Sequence, residues 1–172
     1  MTPRVVLVGP PGAGKTTVGR LLSTRWDLAF RDTDADVEAV AGKSVAEIFF
    51  DDGEPTFRAL EKSAVATALA EHDGVLALGG GAVLDSETRA LLRDGHFVVV
   101  WLTVALADAA SRVGLARERP VLALNPRAQL KFLLEQRAPF YDEVATAQVS
   151  TGGRRPEAVV DDVAAAVTAA AS

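Results

Sequence analysis

The segment GPPGAGKTT, residues 9–17, has the composition of a phosphate site. Gly9, Gly14, Lys15 and Thr16 match the pattern G-x-x-x-x-G-K-[ST], between an apolar run and a helix-like stretch. In such a loop the backbone amides turn inward, the lysine reaches the outer phosphates and the threonine hydroxyl binds Mg²⁺. The pattern therefore predicts a site for a nucleoside triphosphate with Mg²⁺. The alternative is a Gly-Pro turn that only caps the next helix.

Two carboxylates, Asp32 and Asp34 of the sequence DTD, follow the second predicted strand. Ligands of open α/β sheets bind at this carboxyl edge, and both side chains can project into the same crevice. GTPases and motors commonly place the metal's Asp at the end of a strongly apolar strand, yet neither VLALGGG nor FVVVWLT ends in one. We expect Asp32 to face the magnesium hydration shell and Asp34 to orient and deprotonate an acceptor hydroxyl. Simple capping of the next helix is the alternative.

Arginines and glycines further along the chain suit a small anion. Arg58 and Glu61 lie three residues apart on one helical face, which is typical of a surface ion pair. In the sharper interpretation Glu61 turns the guanidinium of Arg58 toward the cleft, where it takes a substrate carboxylate bidentately. The run Gly79–Gly81 at the end of a predicted strand favours this interpretation, because glycines let backbone amides approach a ligand. Arg137 stands near a predicted helix end, in front of a proline.

Short apolar runs that alternate with helix-like stretches must position these residues, and they predict an α/β fold with a parallel sheet. The run FVVVWL is apolar on both faces, so we expect the fourth strand to be central. Two segments interrupt the alternation, residues 34–71 and residues 112–126, and such segments are usually binding loops or lids. The predicted strands are Arg4–Val8, Leu28–Arg31, Val75–Leu78, Phe97–Leu102 and Ala147–Val149. The predicted helices are Lys15–Trp26, Asp34–Val40, Val45–Phe50, Pro55–Glu71, Ser86–Arg93, Leu106–Val113, Arg127–Tyr141 and Pro156–Ala171.

Length and charge limit the class of protein. The 172 residues fit one domain, and a net charge of -5 argues against nucleic acid as a partner. Without cysteine there is no disulfide and no thiolate metal site, which suits a reducing compartment. Met1 leads almost at once into the first predicted strand, and no apolar run approaches the roughly 20 residues that span a bilayer. We expect a cytoplasmic protein with no membrane association.

Six motifs in order, GPPGAGKTTVGRLL, DTD, IFxxxGExxFRxxE, LGGGAV, RPVL and RxxxY, resemble the shikimate kinase family over nearly the whole chain. The resemblance implies a three-layer P-loop NTPase fold like that of nucleoside monophosphate kinases, with a five-stranded parallel sheet in the order 2-3-1-4-5. It also implies one domain over residues 1–172, with a substrate-binding insert at about 33–61 and a lid at about 112–125. The implied reaction transfers the γ-phosphoryl group of ATP to the 3-hydroxyl of shikimate, on the route to chorismate and the aromatic amino acids.

The resemblance also assigns residues to the nucleotide and to catalysis. Asp34, Lys15 and Arg119 are the implied catalytic residues, and Mg²⁺ is held by Thr16 and, through water, by Asp32. Arg119 precedes Pro120 in the lid motif, which reads RPVL here where the family usually has RPLL. The implied ATP-binding residues are Gly12, Ala13, Gly14, Lys15, Thr16, Thr17, Arg112, Arg119 and Arg154.

On the acceptor side, the resemblance implies that the carboxylate of shikimate meets arginines. The shikimate-binding residues that it implies are Asp34, Arg58, Gly79, Gly80, Gly81 and Arg137.

Some alternatives stay open. Arg117, two residues before Arg119, shares the lid motif's charge, and either Arg154 or Arg155 can cover the adenine. A kinase similar to gluconate kinase has the same kind of phosphate loop, size and acids after the second strand. A non-catalytic ATP-binding switch would need a partner surface, for which the sequence offers no heptads or basic tail. Family likeness suggests a monomer.

Overall fold

The computed structural model describes residues 2–112 and 126–172. Its core is one sheet of five parallel strands in the order β2-β3-β1-β4-β5, so the predicted fold class and strand order are confirmed. The strands are β1 Val5–Val8, β2 Ala29–Asp32, β3 Gly74–Ala77, β4 Val99–Thr103 and β5 Ala147–Ser150.

The fourth strand is interior but not in the middle of the sheet. β4 pairs with β1 on one side and β5 on the other, whereas β1 occupies the middle position. The expectation of a central fourth strand was therefore wrong by one place. Every residue of β1 is buried, as are most residues of β4, so an apolar run separates interior from edge strands without ranking the interior ones.

Helices cover both faces of the sheet. Most bounds lie within two residues of the predicted ones, and a short 3₁₀ turn, Ala82–Leu84, was not predicted. The helices are α1 Lys15–Trp26, α2 Thr33–Ala41, α3 Val45–Asp52, α4 Glu54–Glu71, α5 Ser86–Asp94, α6 Leu106–Arg112, α7 Pro126–Val144 and α8 Pro156–Ala170. None of the helices in the described ranges has the length and hydropathy of a membrane-spanning segment.

Strand β1 divides the hydrophobic core into two layers. Val5 and Leu7 belong to a cluster with side chains of α1 and α8, while Val6 and Val8 belong to a second cluster with side chains of α4, α5 and α7. Successive side chains of a strand point to opposite faces, so this alternation makes the sheet the middle of three layers. Helices α2, α3 and α4 enclose a separate small core around Val37, Ile48 and Phe57, away from the sheet.

Helix α7 extends beyond its predicted end at Tyr141. It runs through Pro139 to Val144, although proline lacks the N–H of a helical hydrogen bond and costs about 3 kcal/mol in a helix interior. Tyr141 and Val144 are 1% and 5% exposed and pack in the same core layer as Val6 and Val8. Burying side chains of this size stabilises by about 1.5–3 kcal/mol each, which offsets the proline.

The strand register brings the sites of interest together. Val5 pairs with Val75 and Asp32 pairs with Ala77, so β1, β2 and β3 end close to one another at the carboxyl edge. The phosphate loop, the DTD segment and the glycine run therefore all begin at the same edge.

Candidate active site

The loop between β1 and α1 has the backbone geometry of a phosphate cradle. Gly14, at the N-cap of α1, has φ 91°, and Gly9 has φ 152° with its α-carbon so close to β4 that a Cβ would lie 2.6 Å from the Leu102 carbonyl oxygen. Only glycine suits these two positions. No side chain in the described part of the chain caps α1, and its first turn has no acidic residue. The free amides at this N-terminus suit an anion.

Lys15 reaches back across this loop. Its Nζ donates to the carbonyl oxygens of Gly9 at 2.6 Å and Pro10 at 3.0 Å. These contacts place the ammonium on the concave side of the loop, beside the helix N-terminus. A phosphate that binds the amides of the loop therefore lies within the lysine's reach.

Asp32 contacts the two segments beside it, the start of α2 and the phosphate loop. Its Oδ1 accepts a hydrogen bond from the Asp34 amide at 2.9 Å and so caps α2. Its Oδ2 accepts from the Thr16 hydroxyl at 3.3 Å. The capping alternative is thus real but leaves one carboxylate oxygen for the phosphate loop, and the two proposed metal residues lie side by side.

Asp34 lies against the glycine run after β3. A Cβ atom built on Gly79 would lie 2.4 Å from Oδ1 of Asp34 and 2.9 Å from Oε2 of Glu61. The Gly79 amide donates to the buried Oγ1 of Thr33 at 3.1 Å. Thr33 was missed by the sequence analysis, although its place between the two aspartates was a usable signal. This threonine fixes the glycine run to the segment that carries Asp34.

Arg58 and Glu61 form an ion pair whose glutamate is buried, unlike a pair at the surface. Nη1 of Arg58 donates to Oε1 of Glu61 at 2.8 Å, and Glu61 is 4% exposed. The guanidinium also contacts the glycine run, because a Cβ on Gly81 would lie 2.3 Å from its Nη1. Burial raises the pKa of Glu61, and the nearby charges of Arg58 and Arg137 offset that rise only in part. The burial of Glu61 and the contact of the guanidinium with the glycine run therefore hold the ion pair in place.

Arg137 completes this side of the site from α7. It is 9% exposed, and its Nε makes no hydrogen bond to any residue that the structure describes. Its guanidinium interacts with the Tyr141 hydroxyl and with the charge of Glu61. Burial raises the pKa of Tyr141 to about 12, so this phenol stays protonated and donates to the Gly80 carbonyl oxygen.

A pocket lies beside the phosphate loop, apart from the residues around Asp34. It has a volume of about 320 Å³ and is lined by Ala13, Gly14, Thr17, Val18, Arg112, Thr151, Arg154, Pro156 and Val159. Arg112 donates from Nη1 to the Gly12 carbonyl oxygen at 2.9 Å and from Nη2 to that of Thr151 at 3.1 Å. Arg154 is held by Asp162 at 2.7 Å. Of the two arginines left open, Arg154 lines this pocket, and the sequence offered no signal for Thr151.

The structure thus brings together all the predicted site residues within the described ranges. They form two groups that meet at Asp32, Asp34 and the glycine run. Arg119 and Arg117, together with most of the segment expected to be the lid, lie outside the described residues.

Comparison with known proteins adds a family to this geometry. The profile of the family described as shikimate kinase matches residues 11–168. A shikimate kinase from Saccharopolyspora erythraea is 61% identical over 170 residues, which cover 98% of this chain and 96% of that protein. The structure of shikimate kinase from Acinetobacter baumannii in complex with shikimate matches with a TM-score of 0.91 at 32% identity, covering 98% of this chain and 94% of that one.

The alternative of a kinase similar to gluconate kinase can be compared with the structure of a gluconokinase. The structure of the enzyme from Sinorhizobium meliloti matches with a TM-score of 0.60 at 20% identity, over 96% of this chain and 91% of that one. This likeness extends to the fold alone.

Proposed function

The chain belongs to the shikimate kinase family and phosphorylates shikimate with ATP, and we propose that the two groups of residues at the carboxyl edge of its sheet carry out the transfer. The γ-phosphoryl group passes to the 3-hydroxyl, giving shikimate 3-phosphate and ADP on the route to chorismate. One observation supports this division most directly. Asp34 lies between the phosphate loop's partner Asp32 and a cluster of two arginines and one glutamate, where an acceptor hydroxyl must stand.

On the donor side, the amides of the phosphate loop and Nζ of Lys15 hold the outer phosphates. Oγ1 of Thr16 and Oδ2 of Asp32 are hard oxygen donors 3.3 Å apart, a set that fits Mg²⁺ with water ligands. Mg²⁺, when bound, neutralises charge on the transferred group. Among the described residues, no group of three or more His, Cys, Asp or Glu side chains is arranged to hold a metal ion.

On the acceptor side, the carboxylate of Asp34 accepts the proton of the 3-hydroxyl while that oxygen attacks the γ-phosphorus and ADP leaves. Arg58 and Arg137 bind the carboxylate of shikimate, Arg58 in the orientation that Glu61 imposes. The run Gly79–Gly81 lets the ring approach the backbone.

The remaining assignments concern the base and the covering segments. Arg112 and Arg154 border the adenine in the pocket of about 320 Å³. Arg119 closes over the transferring phosphate from the lid at about 112–125. The insert at about 33–61, whose small core around Ile48 is separate from the sheet, carries Asp34 and Arg58 of the acceptor site.

We also propose that the chain acts as a monomer in the cytoplasm. The net charge of -5 suits a free globular protein. Light scattering on the protein as it elutes from a size-exclusion column should give a mass near 18.0 kDa. A mass twice as large would contradict the monomer.

The activity is tested by ADP release from ATP with shikimate, gluconate and nucleoside monophosphates as separate acceptors. We expect turnover with shikimate alone, and mass spectrometry and ³¹P NMR to place one phosphate on the 3-oxygen. Turnover with gluconate instead would restore the alternative kinase, and tight ATP binding without any turnover would restore the switch.

The same assay tests the metal. Removal of divalent cations with EDTA should abolish turnover, and added Mg²⁺ should restore it. Undiminished activity in EDTA would remove the proposed role of Thr16 and Asp32.

A further inference from the structure

Arg89 of α5 contacts two other elements at once, and no motif of the sequence includes it. Its side chain is 15% exposed. Nη1 donates to the carbonyl oxygens of Val83 at 2.8 Å and Leu84 at 3.0 Å, both in the 3₁₀ turn. Nε donates to Oε2 of Glu143 at 3.0 Å, and the guanidinium carbon lies 4.3 Å from the centre of the Phe140 ring, both in α7. One guanidinium therefore joins the 3₁₀ turn to the end of α7.

These two elements carry two walls of the proposed shikimate site. The 3₁₀ turn begins directly after Gly81, the residue against which Arg58 packs. Helix α7 carries Arg137, which lies six residues before Glu143. Any shift of α7 along the 3₁₀ turn therefore changes the distance between Arg137 and the glycine run.

A second link joins the same walls deeper in the core. The Tyr141 hydroxyl donates to the Gly80 carbonyl oxygen, and the Tyr141 ring centre lies 5.6 Å from that of Trp101. A single link lets two elements pivot about it, whereas two links fix both their separation and their relative rotation. The contacts of Arg89 form the other of these two links, on the outer side of α7.

We propose that Arg89 is a positioning residue for shikimate, which sets the placement of Arg137 relative to the run Gly79–Gly81. The inference rests on the proposed function, in which those residues bind the acceptor. Arginine is required because its planar guanidinium reaches carbonyl oxygens on one side and a carboxylate on the other with fixed geometry. A lysine ammonium is a single point that cannot hold both partners in that arrangement.

The chain offers a matched control for this residue. Arg93 is also on α5 and also pairs with Oε2 of Glu143, at 2.9 Å, but its side chain is 46% exposed. No hydrogen bond from Arg93 to the 3₁₀ turn is present among the described residues. Arg93→Met therefore removes the charge pair alone, while Arg89→Met removes the link between the two walls.

The experiment compares kcat, the KM for shikimate and the KM for ATP in Arg89→Met, Arg89→Lys, Arg93→Met and the unmodified enzyme. Misplaced binding groups of this kind raise the shikimate KM by about tenfold in both Arg89 variants, with the ATP KM unchanged. Arg93→Met should stay within about twofold, the range of an exposed ion pair. Thermal unfolding of each variant gives the loss of stability.

Near-UV circular dichroism gives a second measurement that needs no substrate. Because Trp101 packs on Tyr141, a shift of α7 in Arg89→Met should change the aromatic spectrum, and Arg93→Met should leave it unchanged. A wild-type shikimate KM in Arg89→Met, or equal rises in both KM values, would overturn the inference and leave Arg89 purely structural. Failure of the unmodified enzyme to use shikimate would instead refute the proposed function, and the aromatic spectra would still decide whether Arg89 positions α7.

Discussion

The donor and acceptor sides of this active site are built in different ways. On the proposed donor side, the phosphates are held by one continuous segment, residues 9–17, largely through backbone amides and one lysine. The acceptor side comes from four separate segments, which contribute Asp34, Arg58, the run Gly79–Gly81 and Arg137. A site within one continuous segment can be recognised from the spacing of its residues. A site drawn from separate segments forms only when the chain folds. The reaction partner is therefore much harder to infer than the phosphate donor.

Burial separates the two sides as well. Thr16 is exposed and Lys15 half-buried, but Glu61 and Arg137 are 4% and 9% exposed. Charges in such surroundings interact strongly and tolerate little loss of a partner. Substitutions on the acceptor side should accordingly affect shikimate and leave ATP binding intact, a separation that the following variants test.

The largest effect is expected for Arg119→Ala, which removes the lid arginine. An arginine that stabilises the transferring phosphoryl group is worth about 10³-fold or more in kcat. We expect a loss of that size with little change in either KM, and a much smaller loss for Arg117→Ala. Equal losses in the two variants would show that the arginines share the role, and an unchanged kcat in Arg119→Ala would remove it.

Next in size is Asp34→Asn, which tests the junction of the two sides. Loss of a general base lowers kcat by about 10²–10⁴-fold, here without a change in the ATP KM. Asp36→Asn is the matched control, because Asp36 lies on the same turn of α2 but pairs with Arg31 at 2.7 Å. Steady-state kinetics of both variants decides the matter. Comparable losses in the two would point to damage to α2 instead of lost base catalysis.

Glycine substitutions give an intermediate effect and divide the two sides most sharply. A Cβ at position 79 would press on the carboxylates of Asp34 and Glu61, whereas one at position 80 would lie 2.9 Å from Cδ of Pro11 in the phosphate loop. Gly79→Ala should therefore lower kcat/KM for shikimate by about tenfold, with ATP unaffected. Gly80→Ala should impair both substrates. If both variants change kcat/KM for shikimate and for ATP alike, the donor and acceptor sides are coupled and cannot be separated by these substitutions.

The smallest effect is expected for Glu61→Gln, which should raise the thermal stability and weaken the use of shikimate. Burial raises the pKa of Glu61 above its ordinary 4.5, so the folded protein binds this proton more tightly than the unfolded chain. The stability that the group contributes is complete below the unfolded pKa and is lost as the pH rises through the folded pKa. At neutral pH glutamine removes that cost, while Arg58 keeps its ion pair with Glu54 at 3.3 Å, and we expect Tm to rise by about 2 °C.

The function of the same variant should decline. Arg58 loses its charged anchor, so the shikimate KM should rise by about threefold, the scale of a weakened ion pair. Calorimetry from pH 7 down toward pH 4.5 should show the Tm advantage of Glu61→Gln shrinking. A Tm difference that does not vary with pH would mean that Glu61 is not the titrating group.

Local signals in the sequence predicted the frame of the molecule well. Helix α1 has the predicted bounds, Lys15–Trp26, because a glycine loop defines its start and Asp27 in a left-handed conformation ends it. The strand order followed from family likeness, and the structure agrees. What could not be predicted depends on distant contacts. Pro139 continues a helix only because later residues are buried.

The same division applies to the site. The phosphate loop was predicted from its residues alone. Asp34, Arg58 and the run Gly79–Gly81 were suggested by residue types and spacing, and their assignment to shikimate came through resemblance. Thr33 and Arg89 act through hydrogen bonds to segments 46 and 5–6 residues away, respectively, and Arg89 bonds to Glu143 across 54 residues. The place of Thr33 between two aspartates marks it as a candidate, but no residue type around either side chain identifies its partner before the chain folds.

Helix α4 has a mechanical consequence for the acceptor side. Its 18 residues span roughly 27 Å at 1.5 Å per residue. Phe57 near one end is set in the small core of the insert, while Val65 and Leu69 toward the other end are set in the main core. The helix is thus anchored in both cores, and Arg58 and Glu61 lie between Phe57 and Val65 along it. A displacement of the insert relative to the sheet would therefore be transmitted along α4 to the Arg58–Glu61 pair.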